Sequence, residues 1–126
     1  MANPSLILIV DDDPRGRAAL ESALVTEGYR AEQAADGREA IECARRLQPD
    51  VVLLDVMMPD MDGFDVCRVL RADPRTAEVP IILVTALDDR DALLQGIDAG
   101  ADELIVKPFN RLELRTRLRS LTRINR

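Results

Sequence analysis

The stretch VVLLD, residues 51–55, is an apolar run without polar alternation that ends in a carboxylate. Three further runs have the same form: LILIV ends at Asp11, IILV ends at Thr85 and LIV ends at Lys107. Short aliphatic runs of this kind are typical of strands buried on both faces of a parallel sheet covered by helices. Ligands of such sheets bind beyond the carboxyl ends of the strands. The four endings therefore predict one site with carboxylates, a hydroxyl and an ammonium.

Helical periodicity fills the stretches between these runs. Asp13, Asp36 and Asn110 each precede such a stretch and are placed to cap a helix. The short, polar segment 31–35 is the weakest strand candidate, which we expect near an edge of the sheet. Five β–α units joined by right-handed crossovers predict an α/β fold: a doubly wound, five-stranded parallel sheet with helices on both faces. We expect a single domain over residues 1–126.

The composition limits the function classes. With 126 residues, 47% of them hydrophobic and 32% charged, the chain is typical of one globular domain. No apolar run approaches the roughly 18 residues of a membrane span, and the N-terminus lacks signal-peptide features, so a cytoplasmic protein without membrane contact is expected. Cys43 and Cys67 fall in predicted helices and are interpreted as reduced, buried thiols. Because there is no histidine, catalysis by histidine and metal ligation by histidine are excluded.

The net charge of −6 is unevenly distributed. Residues 111–126 contain six arginines and one acid, for a local charge of +5, which leaves −11 on residues 1–110. An acidic body argues against direct nucleic-acid binding, because such binding depends on neutralising phosphates with a basic surface. The basic segment could form a small nucleic-acid patch. Arginines in a final helix are more often a solvated face that also suits the negative end of the helix dipole.

The acidic residues Asp11, Asp12 and Asp13 are consecutive, and Asp55 ends another strand. Two carboxylates from the first group and the one from Asp55 would place three like charges at one point, which is unfavourable without a cation. The alternative interpretation, a helix cap and a solvated loop, explains Asp13 but not the two acids before it. An all-oxygen ligand set without histidine or cysteine favours a hard ion, and Mg²⁺ is the one expected.

Asp55 could be a general acid or base, a metal ligand only, or a nucleophile that takes up a phosphoryl group. Transfer of a phosphoryl group depends on positioning and on neutralising the charge of its oxygens. Lys107 supplies a positive charge and Thr85 a hydroxyl donor from neighbouring strand ends. Taken alone, either residue could be an ordinary surface or strand-end residue. Together with Asp55 they favour phosphoryl chemistry.

At this point the chain resembles the receiver domain of two-component response regulators, of the chemotaxis-Y-like kind. The similarity is carried by LILIVDDDP at 6–14, LLDVMMPDMDGF at 53–64, ILVTA at 82–86 and KPF at 107–109, and it covers about residues 5–122. The resemblance implies a flavodoxin-like strand order 2-1-3-4-5. It also implies a function in phosphorelay signal transduction, as a switch that catalyses only its own phosphorylation and dephosphorylation.

The resemblance also implies residue roles. Asp55 would accept the phosphoryl group from the phosphohistidine of a sensor histidine kinase or phosphotransfer protein. Mg²⁺ would be held by Asp11, Asp12, the Asp55 carboxylate and the backbone carbonyl of Met57. Thr85 and Lys107 would each contact a phosphoryl oxygen. The family often has a cis peptide at the position of the Lys107–Pro108 bond.

Three positions modify this expectation. The place where the family usually has an aromatic switch residue is occupied by Leu104, which cannot swing a ring between exposed and buried positions. Met57 and Leu87 occupy positions that flank the phosphoryl group in the family, and both are apolar. We expect them to restrict the access of water and so to give a long-lived phosphoryl group.

Other function classes are less consistent with the sequence. Haloacid-dehalogenase-like phosphatases require a second aspartate two residues after the nucleophile, where this chain has Met57. A dinucleotide-binding module requires a glycine-rich turn after the first strand, where this chain reads DDDPRG. A degenerate receiver, acting as a phosphorylation-independent docking module, stays as the alternative. A downstream effector is expected to read the α4–β5–α5 face, and phosphorylation-dependent homodimerisation is open.

Overall fold

Strands and helices alternate along the chain, as the sequence pattern predicts. The computed structural model describes residues 4–86 and 90–124. The strands are β1 (Leu6–Val10), β2 (Arg30–Ala34), β3 (Val51–Asp55), β4 (Ile81–Thr85) and β5 (Glu103–Val106). The helices are α1 (Pro14–Thr26), α2 (Gly37–Leu47), α3 (Gly63–Ala72), α4 (Arg90–Ala99) and α5 (Arg111–Ile124).

The five strands are parallel and stand in the order β2-β1-β3-β4-β5, which confirms the predicted fold class. The polar segment predicted near an edge forms β2, at one edge of the sheet. The register pairs Val10 with Leu54, Asp55 with Val84 and Thr85 with Val106. The carboxyl ends of β1, β3, β4 and β5 therefore finish side by side.

The sheet separates two apolar layers, because successive side chains of a strand point to opposite faces. In β3, Val52 and Leu54 pack among the helices α2, α3 and α4, whereas Val51 and Leu53 pack towards α1 and α5. In each of the strands β1, β3 and β4, all five residues are buried. Double-sided burial is the reason that these strands read as uninterrupted apolar runs.

The predicted helix caps are present. Asp13 accepts a hydrogen bond from the Arg15 amide at 3.0 Å, and Asp36 accepts one from the Glu39 amide at 2.8 Å. Asn110 likewise accepts a hydrogen bond from the Glu113 amide at 2.7 Å. These caps satisfy amide groups that the first turn of a helix leaves without partners.

Other expectations about the surface and the thiols can be checked directly. Both cysteines are free and buried, as interpreted from the sequence. On the basic helix α5, Arg115 pairs with Glu27 at 3.6 Å and Arg117 with Glu103 at 3.5 Å, which accords with an ordinary solvated face. None of the described helices has the length and apolar character needed to cross a membrane.

Candidate functional site

Four strand ends bring the predicted site residues to one edge of the sheet. Asp11 directly follows β1, Asp55 and Thr85 are the last residues of β3 and β4, and Lys107 follows β5. The backbone holds the neighbouring ends together, since the Lys107 amide donates to the Thr85 carbonyl at 2.7 Å. The peptide bond between Lys107 and Pro108 is cis, as the resemblance implied.

Three carboxylates converge at this edge. One oxygen from each of Asp11, Asp12 and Asp55 lies within 4.8 Å of the others. Asp55 is buried and only 6% exposed, whereas Asp12 lies on the surface. Asp11 is held by its own turn, because its Oδ1 accepts a hydrogen bond from the Asp13 amide at 3.0 Å. Of the acidic triplet, Asp13 thus caps a helix and the two acids before it lie near Asp55, while their part in holding a metal ion stays a prediction.

An additional residue supports the turn that carries Asp11. The Nη1 atom of Arg17 donates to the Asp11 carbonyl at 2.7 Å, and its Nε donates to Gln33 Oε1 at 3.0 Å. The guanidinium thus connects α1 to the turn after β1 and to the edge strand β2. Sequence reasoning did not identify Arg17, because its two partners come together only in the folded chain.

The Asp55 carboxylate lies beside a cation. Its Oδ1 is 3.4 Å from Lys107 Nζ. Burial is the largest influence on the Asp55 carboxyl and raises its pKa above the ordinary value. The Lys107 ammonium lowers that pKa in part, while the charges of Asp11 and Asp12 raise it further. Additional positive charge at this point would therefore favour the ionised, nucleophilic form of Asp55.

The donor set fits a magnesium ion. Carboxylate oxygens are the ligands that Mg²⁺ prefers, and few protein ligands are needed because the ion keeps several waters. The three clustered carboxylates provide such ligands on the solvent side of the sheet edge. Met57 lies in the loop just after β3, and the residue is 58% exposed. The part of its backbone carbonyl in holding the ion stays a prediction.

A glycine allows the loop after Asp55 to fold back tightly. A Cβ atom added at Gly63 would lie 2.5 Å from the Asp55 carbonyl oxygen and 2.8 Å from Val56 Cα. The Gly63 amide donates to the Val56 carbonyl at 3.0 Å. The first turn of α3 therefore packs directly on the backbone that carries Asp55. Glycine is common in loops, so the sequence alone does not reveal this contact.

Leu104 occupies the place where the family usually has an aromatic switch residue. Its side chain is half-buried and packs against the apolar layer under α4. Around Gly96, a Cβ atom would lie 3.3 Å from Leu83 Cδ1 and 3.9 Å from both Leu104 Cδ1 and Phe64 Cε1. Here α4 packs closely on aliphatic side chains of the sheet. Leu87, the other position singled out for water access, lies outside the described residues.

Thr85, another predicted site residue, is fully buried at the end of β4. Its neighbours along the edge are Asp55 on one side and the start of the β5–α5 connection on the other. Thr85 and Lys107 both carry groups able to donate hydrogen bonds, and both lie at strand ends on the same edge of the sheet as Asp55. Such an arrangement suits an anion attached to Asp55.

Comparisons with known proteins agree with this geometry. The response regulator receiver domain model matches residues 7–119. The chain is 48% identical to "Response regulator PleD" of Caulobacter vibrioides over 117 residues, which is 93% of this chain and 26% of that protein. It is 44% identical to the "DNA-binding dual master transcriptional regulator RpaA" of Synechocystis over 117 residues, 93% of this chain and 48% of that protein. The chain thus spans between a quarter and a half of these relatives.

Solved structures show the same similarity. The chemotaxis protein CheY4 of Vibrio cholerae superimposes with a TM-score of 0.88 at 34% identity, covering 94% of this chain and 98% of that one. A second solved structure is the receiver domain of the sensor histidine kinase PA1611 of Pseudomonas aeruginosa, described with magnesium in its active-site cleft. It superimposes with a TM-score of 0.87 at 34% identity, again covering 94% of this chain and 98% of that one. The chain therefore belongs to the response regulator receiver domain family.

Proposed function

We propose that Asp55 is the phosphoacceptor of this receiver domain. The observation that carries the proposal is a buried carboxylate 3.4 Å from a lysine ammonium and within 4.8 Å of two further carboxylates. A carboxylate kept from water but beside cations can act as a nucleophile towards phosphorus. The alternative, a docking module that needs no phosphorylation, has no use for this arrangement.

The proposed reaction is an in-line displacement. A carboxylate oxygen of Asp55 forms a bond to phosphorus as the bond from phosphorus to a histidine nitrogen of the donor breaks, and that nitrogen keeps the electron pair. Lys107 and Thr85 would each hold one phosphoryl oxygen and so stabilise the charge of the transferring group. Asp11, Asp12, Asp55 and the Met57 carbonyl would hold Mg²⁺, which supplies further neutralisation of the phosphoryl oxygens when bound.

The partners follow from this role. The donor is a sensor histidine kinase or a phosphotransfer protein, and the recipient of the signal is an effector protein or domain in the cytoplasm. The α4–β5–α5 face is the proposed output surface, since Leu93, Leu94 and Ile97 on α4 are 46%, 52% and 64% exposed. Phosphorylation shifts the population of this face towards an active form, with or without homodimerisation. The domain turns over no metabolite and assists only its own phosphorylation and dephosphorylation.

Intact mass measurement with phosphoramidate and Mg²⁺ tests the proposal. We expect the wild-type chain to gain one phosphoryl group and Asp55→Asn to gain none. Asp60→Asn is the matched control, because Asp60 is an exposed acid of the following loop and asparagine tolerates its positive φ of 67°. An unmodified wild-type chain, or equal modification of Asp55→Asn, would support the docking-module alternative. Size-exclusion mass before and after phosphorylation then reports dimerisation.

A further inference from the structure

A cavity of about 390 Å³ opens between α1 and α5, directly beside Asp55. Its floor is the face of the sheet, formed by Ile9, Leu53 and Val84. Cavities of roughly 300–1,000 Å³ with an apolar lining and a few polar groups are typical of small-molecule sites. The proposed phosphoryl chemistry takes place at the rim of this cavity and makes no use of its apolar interior.

The cavity exists because α1 presents small residues towards α5. Gly16, Ala19 and Ala23 line one wall, with Leu114 and Phe109 among the residues of the others. Further along, the two helices are joined by an ion pair between Arg115 and Glu27, at the end of α1 remote from the site. The part of α1 that lines the cavity, from Gly16 to Ala23, lies on the carboxylate side of this ion pair.

The charges at the mouth favour a cationic ligand. Asp11, Asp13, Asp55, Lys107 and Arg111 line it. Since Lys107 pairs with Asp55, two carboxylates remain against one guanidinium. The Oδ2 atom of Asp11 lies 3.0 Å from the position of a Cβ at Gly16, so it borders the cavity wall, and within the described residues no hydrogen bond to this oxygen is found.

We propose that this cavity binds a small apolar amine, with the aliphatic or aromatic body on the sheet and the ammonium at Asp11 and Asp13. An ammonium there would share the Asp11 carboxylate with Mg²⁺, so the amine and the metal would weaken each other's binding. Binding of the amine stands independently of the role of Asp55. Two consequences rest on the proposed function: the competition with Mg²⁺, and slower phosphorylation of Asp55 when the cavity is occupied.

Titration of ¹⁵N- and methyl-labelled protein with phenethylamine tests this proposal without any phosphodonor. Phenethyl alcohol and hydrocinnamate have the same aromatic body with a neutral and an anionic head. We expect saturable shifts at Ile9, Ala23 and Leu53, and an affinity for the amine about tenfold above that for the anion, the ratio that about 1.4 kcal/mol produces. Adding Mg²⁺ should lower the affinity for the amine by about threefold or more.

Two variants of α1 distinguish the cavity from general charge attraction. Ala23→Leu fills the cavity and should lower the amine affinity about tenfold or more, a loss comparable to that of one well-packed apolar group. Ala18→Leu is the control, because Ala18 is exposed and does not line the cavity, and it should bind like the wild type. If Ala23→Leu fails to fold, Ala19→Val at the same wall replaces it.

Three results would overturn the proposal. They are equal or tighter binding of hydrocinnamate, shifts confined to the exposed acids, and unchanged affinity in the filled variants. Phosphorylation by phosphoramidate is then measured separately, with and without amine. Loss of phosphorylation in Asp55→Asn without any effect of the amine on the wild type would leave the proposed function intact and remove only the regulatory consequence.

Discussion

At the scale of single residues, Asp55 combines two features that both disfavour its ionised form. The residue is buried, and its neighbours Asp11 and Asp12 crowd the carboxylate with like charge. Both raise its pKa, and the Lys107 ammonium only partly compensates. The folded chain thus carries an unfavourable charge at the point where the chemistry is proposed, as functional sites often do.

Replacing this carboxylate should therefore stabilise the protein. A raised pKa means that folded Asp55 holds its proton more tightly than the unfolded chain does. Stability is therefore lost as the pH rises from about the ordinary value of 3.8 through the folded-state pKa. Without divalent metal at neutral pH, we expect Asp55→Asn to raise the free energy of unfolding by roughly 1 kcal/mol. Urea unfolding measures this change in the free energy of unfolding. The stabilisation should disappear at pH values below the pKa of Asp55 in the unfolded chain.

Asp60→Asn serves again as the control: it replaces an exposed acid of the neighbouring loop and should leave the free energy of unfolding nearly unchanged at neutral pH. Lys107 loses its partner in Asp55→Asn, but its side chain is 39% exposed and stays hydrated. A destabilised Asp55→Asn at neutral pH would contradict the assignment of Asp55 as a strained, buried charge.

A second residue whose effect can be tested singly is Met57. It is apolar and lies in the loop after Asp55, so we expect it to limit the approach of water to a phosphoryl group. Met57→Ala should shorten the lifetime of the phosphorylated protein several-fold, measured by intact mass after the donor is removed. Met61→Ala, in the same loop, is the control. A wild-type half-life of seconds would contradict the expectation of restricted water access.

At the scale of elements, periodicity and capping account for most of what is observed. Asp36 begins α2 and Asn110 begins α5 because each side chain satisfies an amide of the first turn, a local interaction that sequence spacing reveals. In α4, by contrast, the buried residues are Ala92, Gly96 and Ala99, while the larger leucines and isoleucine are exposed. Periodicity locates that helix but does not show which side chains it leaves exposed.

Helix α5 offers a direct measure of this difference. Leu118 is fully buried against the sheet, whereas Leu112 is 61% exposed. We expect Leu118→Ala to lower the free energy of unfolding by about 2–4 kcal/mol, and Leu112→Ala to change it by no more than about 0.5 kcal/mol. Both substitutions lie in the same helix, so their effect on helix propensity is the same. Equal losses in urea unfolding would contradict the packing of α5.

At the scale of the whole molecule, strands distant in sequence share one site, so a ligand of that site stabilises the entire fold. We expect Mg²⁺ at about 100 times its dissociation constant to add about 2.7 kcal/mol to the free energy of unfolding. Chelation should reverse the gain. The experiment is thermal unfolding with and without the metal, against a potassium salt of matched ionic strength.

Asp12→Asn is the informative variant here, because Asp12 is exposed and its loss leaves the core unchanged. The stabilisation by Mg²⁺ should be much smaller in this variant. The same gain in Asp12→Asn as in the wild type would place the metal elsewhere.

The sequence alone determined the order of elements, the parallel sheet and the identity of the strand-end residues. Buried parallel strands require uninterrupted apolar runs, and their carboxyl ends meet at one edge. Only the tertiary structure decided the raised pKa of Asp55, the contact of Gly63 with its backbone, the part played by Arg17 and the cavity between α1 and α5. Each depends on distances between segments far apart in the chain, which packing sets and local spacing does not encode.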